Sequence, residues 1–140
     1  MKKAMIFCLI FIHMILIVIG CNKKEEQHLL TRVDVQQINA ERVSSDVKMI
    51  VEQTELTELE DIFNEIEWES NVKIEMSRRE DIKATFFYEI DKNMPERLAE
   101  YRIWFHEESG TAELTSNIEK ESYGKLNREN AEKLKALFLP

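Results

Sequence analysis

Apolar residues are distributed along this chain in three ways. From Ala4 to Ile19 they form a run that only His13 interrupts. From Asn22 to about Leu30 the chain is polar and aperiodic, which reads as a short tether. Beyond it, apolar positions recur in turn at a period of two and at one near 3.6, as in a domain that mixes strands with helices. Val33 and Val35 predict a first strand, and Val47, Met49 and Val51 a second. Leu56, Leu59, Ile62, Phe63 and Ile66 follow at helical spacing behind Thr54, whose hydroxyl can accept an orphan backbone N–H. A helix is therefore predicted from about Glu55 to Glu67.

The middle of the chain is β in character. Val72, Ile74 and Met76 alternate, as do Ile82, Ala84, Phe86, Tyr88 and Ile90, and then Tyr101, Ile103 and Phe105. Asp91 to Leu98, containing Pro95, reads as a connection, and Glu107-Glu108-Ser109-Gly110 as a hairpin tip returning through Thr111 to Ser116. Asn127 is a good N-cap for a last helix carrying Ala131, Leu134, Leu137 and Phe138 on one side. This order predicts an α+β domain, an antiparallel β-sheet with two helices packed on one face.

The N-terminal run has three parts with separate physical roles. Lys2 and Lys3 hold the start of the chain on the cytoplasmic side, and Ala4 to Ile19 can enter a translocation machinery as an apolar helix. Val18-Ile19-Gly20-Cys21 follows and resembles the lipobox of bacterial lipoproteins. The resemblance implies that the Cys21 thiol takes a diacylglycerol by thioether, that the Gly20–Cys21 bond is cut, and that Cys21 becomes the first residue. The expected organisation is a lipoprotein signal peptide at 1–20, lipidated Cys21 and polar tether at 21–30, and a single α+β domain at 31–140. An uncleaved transmembrane helix and a secreted form without lipid are the alternatives. The sixteen-residue run from Ala4 to Ile19 falls short of the roughly 18 to 20 that span a bilayer.

Further along, Tyr101-Arg102-Ile103-Trp104-Phe105, the Ser109-Gly110-Thr111 turn, and Tyr123-Gly124-Lys125-Leu126-Asn127 leading into Ala131-Glu132-Lys133-Leu134 resemble a family of small lipoproteins of Bacillus-type bacteria, the YhfM-like group. The likeness spans roughly residues 45 to 139. It implies an envelope location and an α+β fold, and it brings no catalytic residue with it.

Composition sharpens this picture. The chain has 140 residues, 44% hydrophobic and 33% charged, as one globular domain does, yet every one of its 27 acidic residues lies after Cys21. Removing residues 1 to 20 takes Lys2 and Lys3 from the 19 basic residues and leaves a mature formal charge of about −10. That disfavours nucleic acid as a partner, and it matches an anionic lipid surface poorly. The expected membrane contact is thus the anchor at Cys21, with the domain floating above. Cys8 is discarded and Cys21 is consumed by lipid, so neither a disulfide nor a thiolate metal site is expected.

The search for chemistry predicts no cofactor, no metal and no catalytic residue. Gly20, Gly110 and Gly124 stand alone, which excludes a glycine-rich phosphate loop. His28 lies in the tether and His106 beside a turn, a poor basis for a catalytic pair. Glu107 and Glu108 lack the alternating oxygen ligands of a calcium loop, and the same holds for Asp91 and Asn93. Glu65, Glu67, Glu69 and Glu75 read as a solvated face, and Arg78-Arg79 is offset by Glu80-Asp81.

Three functional classes remain. A non-catalytic binding or interaction module of the cell envelope, with an envelope protein as partner, fits best; a small-ligand-binding lipoprotein is second, and a small hydrolase third. If Tyr101, Ile103 and Phe105 point inward, Phe87, Arg102, Trp104 and His106 share the opposite sheet face. Two aromatics among charged neighbours make that face the candidate interaction surface, unless another segment of the chain covers it as a second small core.

Overall fold

A computed structural model describes residues 28–38 and 43–139. The predicted signal peptide, Gly20, Cys21 and the tether up to Gln27 lie outside them. The elements run β1 (Leu29–Ile38), β2 (Val43–Ile50), α1 (Gln53–Asn64), β3 (Glu67–Glu69), β4 (Ile82–Glu89), β5 (Arg97–Phe105), β6 (Ala112–Ser116), β7 (Tyr123–Leu126) and α2 (Arg128–Phe138), with a 3₁₀ turn at Glu119–Glu121. The strands form one antiparallel sheet in the order β2-β1-β4-β5-β6-β7-β3. The α+β class with two helices is as the periodicities predict.

One face of the sheet carries the core. Val33 and Val35 of β1, Ile82, Ala84 and Phe86 of β4, Tyr101 and Ile103 of β5, and Leu114 of β6 are buried together with Leu56, Leu59, Ile62 and Phe63 of α1 and Ala131, Leu134 and Phe138 of α2. Small residues stand opposite large ones across the strands. Ala99 faces Phe86 and Ala84 faces Tyr101, so each ring lies over a neighbour that leaves it room. Gly124 does the same for Trp68, its cross-strand partner. A Cβ there would stand 2.4 Å from Ile66 Cγ2 and 2.7 Å from Trp68 Cε3, so only glycine lets the edge strand close on the core.

Several local expectations change. Leu29 and Leu30, assigned to the tether, open β1, and Leu30 is buried because its partner Tyr88 lies on the core side. On β2 the apolar residues Val47 and Met49 are exposed and pair with the outward Gln36 and Asp34. Period two fixes alternation but not which set faces in, and β2 is an edge strand. The first helix starts at Gln53 and not after a Thr54 cap; Glu52 occupies the N-cap without a side-chain bond. The last helix begins as predicted, with Asn127 Oδ1 accepting from the Asn130 N–H at 2.9 Å. Strand β7 has no counterpart among the predicted elements.

The largest change is between β3 and β4. These consecutive strands are separated by β5, β6 and β7 in the sheet, while the helices occupy the core face. The connection at 70–81 therefore has to cross the opposite, outer face. Val72, Ile74 and Met76, predicted as a strand, are part of this irregular crossing. It is tied at both ends. Asn71, at φ 58°, donates its N–H to the Glu119 carbonyl, and the Val72 N–H goes to Ser122 Oγ at 2.9 Å. At the far end Arg78 makes two bonds to Asp81, at 2.6 and 2.8 Å, and a third to the Phe105 carbonyl at 2.7 Å.

Candidate functional site

The crossing segment decides the fate of the surface predicted from sequence. Ile103 pairs inward with Leu114, which places Trp104 on the outer face opposite Glu113, as the alternation requires. Trp104 is nevertheless only 4% exposed. Its indole N–H donates to the Arg78 carbonyl at 2.9 Å, so the crossing chain covers it. The candidate surface is thus corrected: Trp104 belongs to a second small core, the alternative left open by the sequence. Arg102 is exposed, and Phe87 is half-buried beneath the Arg32 guanidinium, 3.8 Å from its ring centre. His106 is half-buried, with Nε2 3.0 Å from Glu113 Oε2. The four residues do not form one open apolar face.

Around Trp104 the outer face is an organised polar layer. The Tyr123 hydroxyl donates to Glu113 Oε1 at 2.6 Å, so Glu113 joins Tyr123 to His106. The Tyr123 bond holds the Glu113 carboxyl below its usual range, against burial and with help from His106. Burial would raise the Asp81 carboxyl, but the Arg78 bonds and the Phe105 N–H, which reaches it at 2.7 Å, outweigh that and leave it lowered. Neither ring nitrogen of His106 meets a serine, threonine or cysteine side chain among the described residues.

The core face carries a different arrangement. Tyr88 and Tyr101 point inward from adjacent strands, where a hydroxyl must find a partner. Tyr101 donates to Glu121 Oε2 at 2.9 Å, from the 3₁₀ turn between β6 and β7. Its ring packs edge-on against Phe63 and Phe86, with centroids at 4.8 and 4.9 Å, and lies 5.9 Å from Trp68. Burial drives the Tyr101 hydroxyl well above its usual range, assisted by Tyr88 and Glu121. It raises Tyr88 to about 12, with the charges of Glu121 and Glu60 adding to the effect. Glu60 itself is raised by burial and by neighbouring Asp61, against a backbone hydrogen bond from Leu30.

Two adjoining depressions meet at Tyr88, Tyr101 and Glu121. One, of about 650 Å³, lies between β5 and the turn at 117–121 and takes in His28, Arg97 and Ile118. The other, of about 350 Å³, lies under α1 and takes in Glu60, Phe63 and Trp68. Together they are a half-open cleft with an aromatic floor and neutral phenols at its centre; Glu60, Asp61 and Glu121 line the part under α1, while Arg97 and Lys120 join Glu119 and Glu121 in the other part. Such a site accepts hydrogen bonds and attracts positive charge over its ring faces. The inward direction of Tyr88 and Tyr101 was readable from strand alternation. Glu121 was not, because nothing in the sequence marks it as the acceptor. Among the described residues no cluster of His, Cys, Asp and Glu is arranged to hold a metal ion, and no helix is long and apolar enough to cross a membrane.

No protein-family model and no curated protein matches this chain. A solved structure, that of a thioesterase-like protein from Clostridium sporogenes, is similar at a TM-score of 0.53 and 19% identity, covering 81% of this chain and 96% of that one. At that identity the likeness is one of fold. Activity has to be argued from the site.

Proposed function

We propose that this chain is a lipoprotein anchored through Cys21 at the extracytoplasmic face of the cell membrane, and that its α+β domain is a non-catalytic binding module for a small ligand. The lipobox-like Val18 to Cys21 sequence supports the anchor. One structural observation carries the ligand reading: two depressions share Tyr88, Tyr101 and Glu121 above a floor of Phe63 and Trp68. That chemistry favours a ligand with a flat apolar body and a cationic or donor-bearing head. The closing of the outer face over Trp104 turns the reading from a protein-docking surface toward this cleft.

Thermal shift of the purified mature protein against matched cationic and anionic aromatic compounds tests the cleft. Cationic members should raise the melting temperature, and Tyr101→Phe or Glu121→Gln should remove the gain. Equal shifts from both panels, no shift from either, or shifts that survive both substitutions would defeat the reading. The anchor has its own test. Cys21→Ser should abolish lipid labelling and either move the protein out of the membrane fraction or leave the precursor uncut, and labelling that persists contradicts it.

A small hydrolase is the second reading, favoured by the Glu113 contact that orients His106 as a general base is oriented. It requires water as the nucleophile, since no hydroxyl or thiol side chain among the described residues meets that imidazole. Hydrolysis of an ester substrate that disappears in His106→Ala would establish it.

A further inference from the structure

The middle strands of the sheet project beyond their neighbours at one end. Strand β2 pairs with β1 only as far as Ile50 opposite Val33, whereas β1 continues outward to Leu29 opposite Glu89. On the other side β6 stops at Ser116 opposite Tyr101, while β5 continues outward to Arg97 opposite Tyr88. The start of β1, the end of β4 and the start of β5 thus form a three-stranded tongue about 13 Å long, four residues at roughly 3.3 Å per residue. Its tip is pinned. The Met94 N–H bonds to the Asp91 carbonyl at 3.0 Å, Asp91 Oδ1 accepts from the Asn93 N–H at 2.8 Å, and Thr31 Oγ1 reaches Glu96 at 2.6 Å.

This tongue gathers large apolar side chains in the open. Leu29 is 53% exposed, Ile90 37%, Met94 64% and Leu98 49%, which is half of the exposed large hydrophobic residues described. They lie at one projecting end, Leu29 and Leu98 on the outer side of the strands and Ile90 and Met94 at the tip, where water disfavours them. The charge around them is balanced, with Arg32, Lys92 and Arg97 against Glu89, Asp91 and Glu96. The excess negative charge of the mature chain therefore lies elsewhere, and this end meets no net repulsion from an anionic surface.

The chain itself indicates what occupies this end. Leu29, the first residue of β1, stands eight residues after Cys21. Even fully extended, eight residues span no more than about 28 Å. A lipid on Cys21 would keep the tongue within that distance of the bilayer at all times, so the encounter is intramolecular and a weak apolar contact suffices. We infer that the tongue formed by β1, β4 and β5 rests on the lipid surface of the anchoring membrane, with Met94 and Ile90 entering the headgroup boundary. The inference rests on the lipid-anchor reading. It replaces a domain floating free on its tether with one held at a fixed orientation, the 650 Å³ depression beside Arg97 and Leu98 lying close to the bilayer.

Single-cysteine labelling tests it on the full lipidated protein. Cys8 would be removed with the signal peptide and the Cys21 sulfur would be in thioether, so an introduced cysteine carries the only free thiol. Met94→Cys, Ile90→Cys and, as a control at the opposite end of the sheet, Glu108→Cys are labelled with an environment-sensitive fluorophore. The proteins are placed in phosphatidylethanolamine and phosphatidylglycerol vesicles. The expected result is blue-shifted emission at 94 and 90, quenched by nitroxide-bearing lipid and at least several-fold less accessible to iodide than at 108. Labels at 94 and 90 that behave like the one at 108 overturn the proposal. So does protection that occurs on whole cells but not in protein-free vesicles, which would make the occupant a protein. Mass analysis of the N-terminal peptide separates the two levels. A peptide without diacylglycerol ends the anchor reading and this proposal together, whereas a lipidated protein with water-exposed labels ends this proposal alone.

Discussion

Replacing Trp104 measures whether the outer face is closed. The indole is only 4% exposed and its N–H donates to the Arg78 carbonyl at 2.9 Å. Truncating a core aromatic to alanine costs about 3 to 5 kcal/mol. Here one wall of the site is an irregular segment that can settle into the space, so the lower end, about 3 kcal/mol, is expected for Trp104→Ala. Trp104→Phe keeps most of the apolar volume and loses the N–H bond, which is worth about 1 kcal/mol. The two substitutions together separate packing from the polar tie. Trp68 and Trp104 are the only tryptophans, so a Trp68→Phe background isolates the emission of Trp104. In that background the emission should be blue-shifted and protected from acrylamide, and urea denaturation of a fragment beginning before His28 should give the two losses. Red-shifted, freely quenched emission, or a Trp104→Ala loss below about 1 kcal/mol, would show that the crossing segment does not cover this face.

Two further outcomes follow from the same packing. The Asp81 carboxyl is lowered on folding, so its contribution is complete above the unfolded value of about 3.9 and is lost as the pH falls through the folded one. Asp81→Asn should flatten the acid limb of stability against pH in urea titrations, and parallel limbs for the two proteins would contradict it. Gly124→Ala should destabilise by about 1 to 3 kcal/mol, because its Cβ would meet Ile66 and Trp68 inside contact distance. An unchanged melting temperature would place Trp68 away from β7.

The elements legible in the sequence are those whose two faces differ in polarity. β4 has core on one side and Lys83, Thr85 and Glu89, with Phe87 the one apolar residue among them, on the other, and the last helix has an explicit cap and one apolar side, so periodicity and chemistry agree on both. β7 has four residues, one of them a glycine required by Trp68, which is too little for a period to register. The stretch from Val72 to Met76 misleads in the opposite direction. Its apolar residues alternate, yet Val72 and Met76 are half-buried while Ile74 is exposed, and the same sequence alternation arises in an irregular chain laid across a sheet as in a strand within one.

Sheet order is what separates these cases, and sheet order is a long-range property. The alternation of β5 correctly sends Tyr101 to one face and Trp104 to the other. It cannot say that β3 pairs with β7, that the chain must then cross the outer face to reach β4, or that Trp104 is covered as a result. The same topology makes the cleft. Two adjacent strands in the middle of the order, β4 and β5, bring Tyr88 and Tyr101 together, and the turn leading into β7 carries Glu121 to the Tyr101 hydroxyl. A residue that points outward in a strand pattern is therefore a surface candidate only until the connections between consecutive strands have been traced. In this protein that connection closes the face the sequence favoured, and the open chemistry lies at the margin of the core, where two tyrosines need acceptors and a carboxylate arrives from a turn.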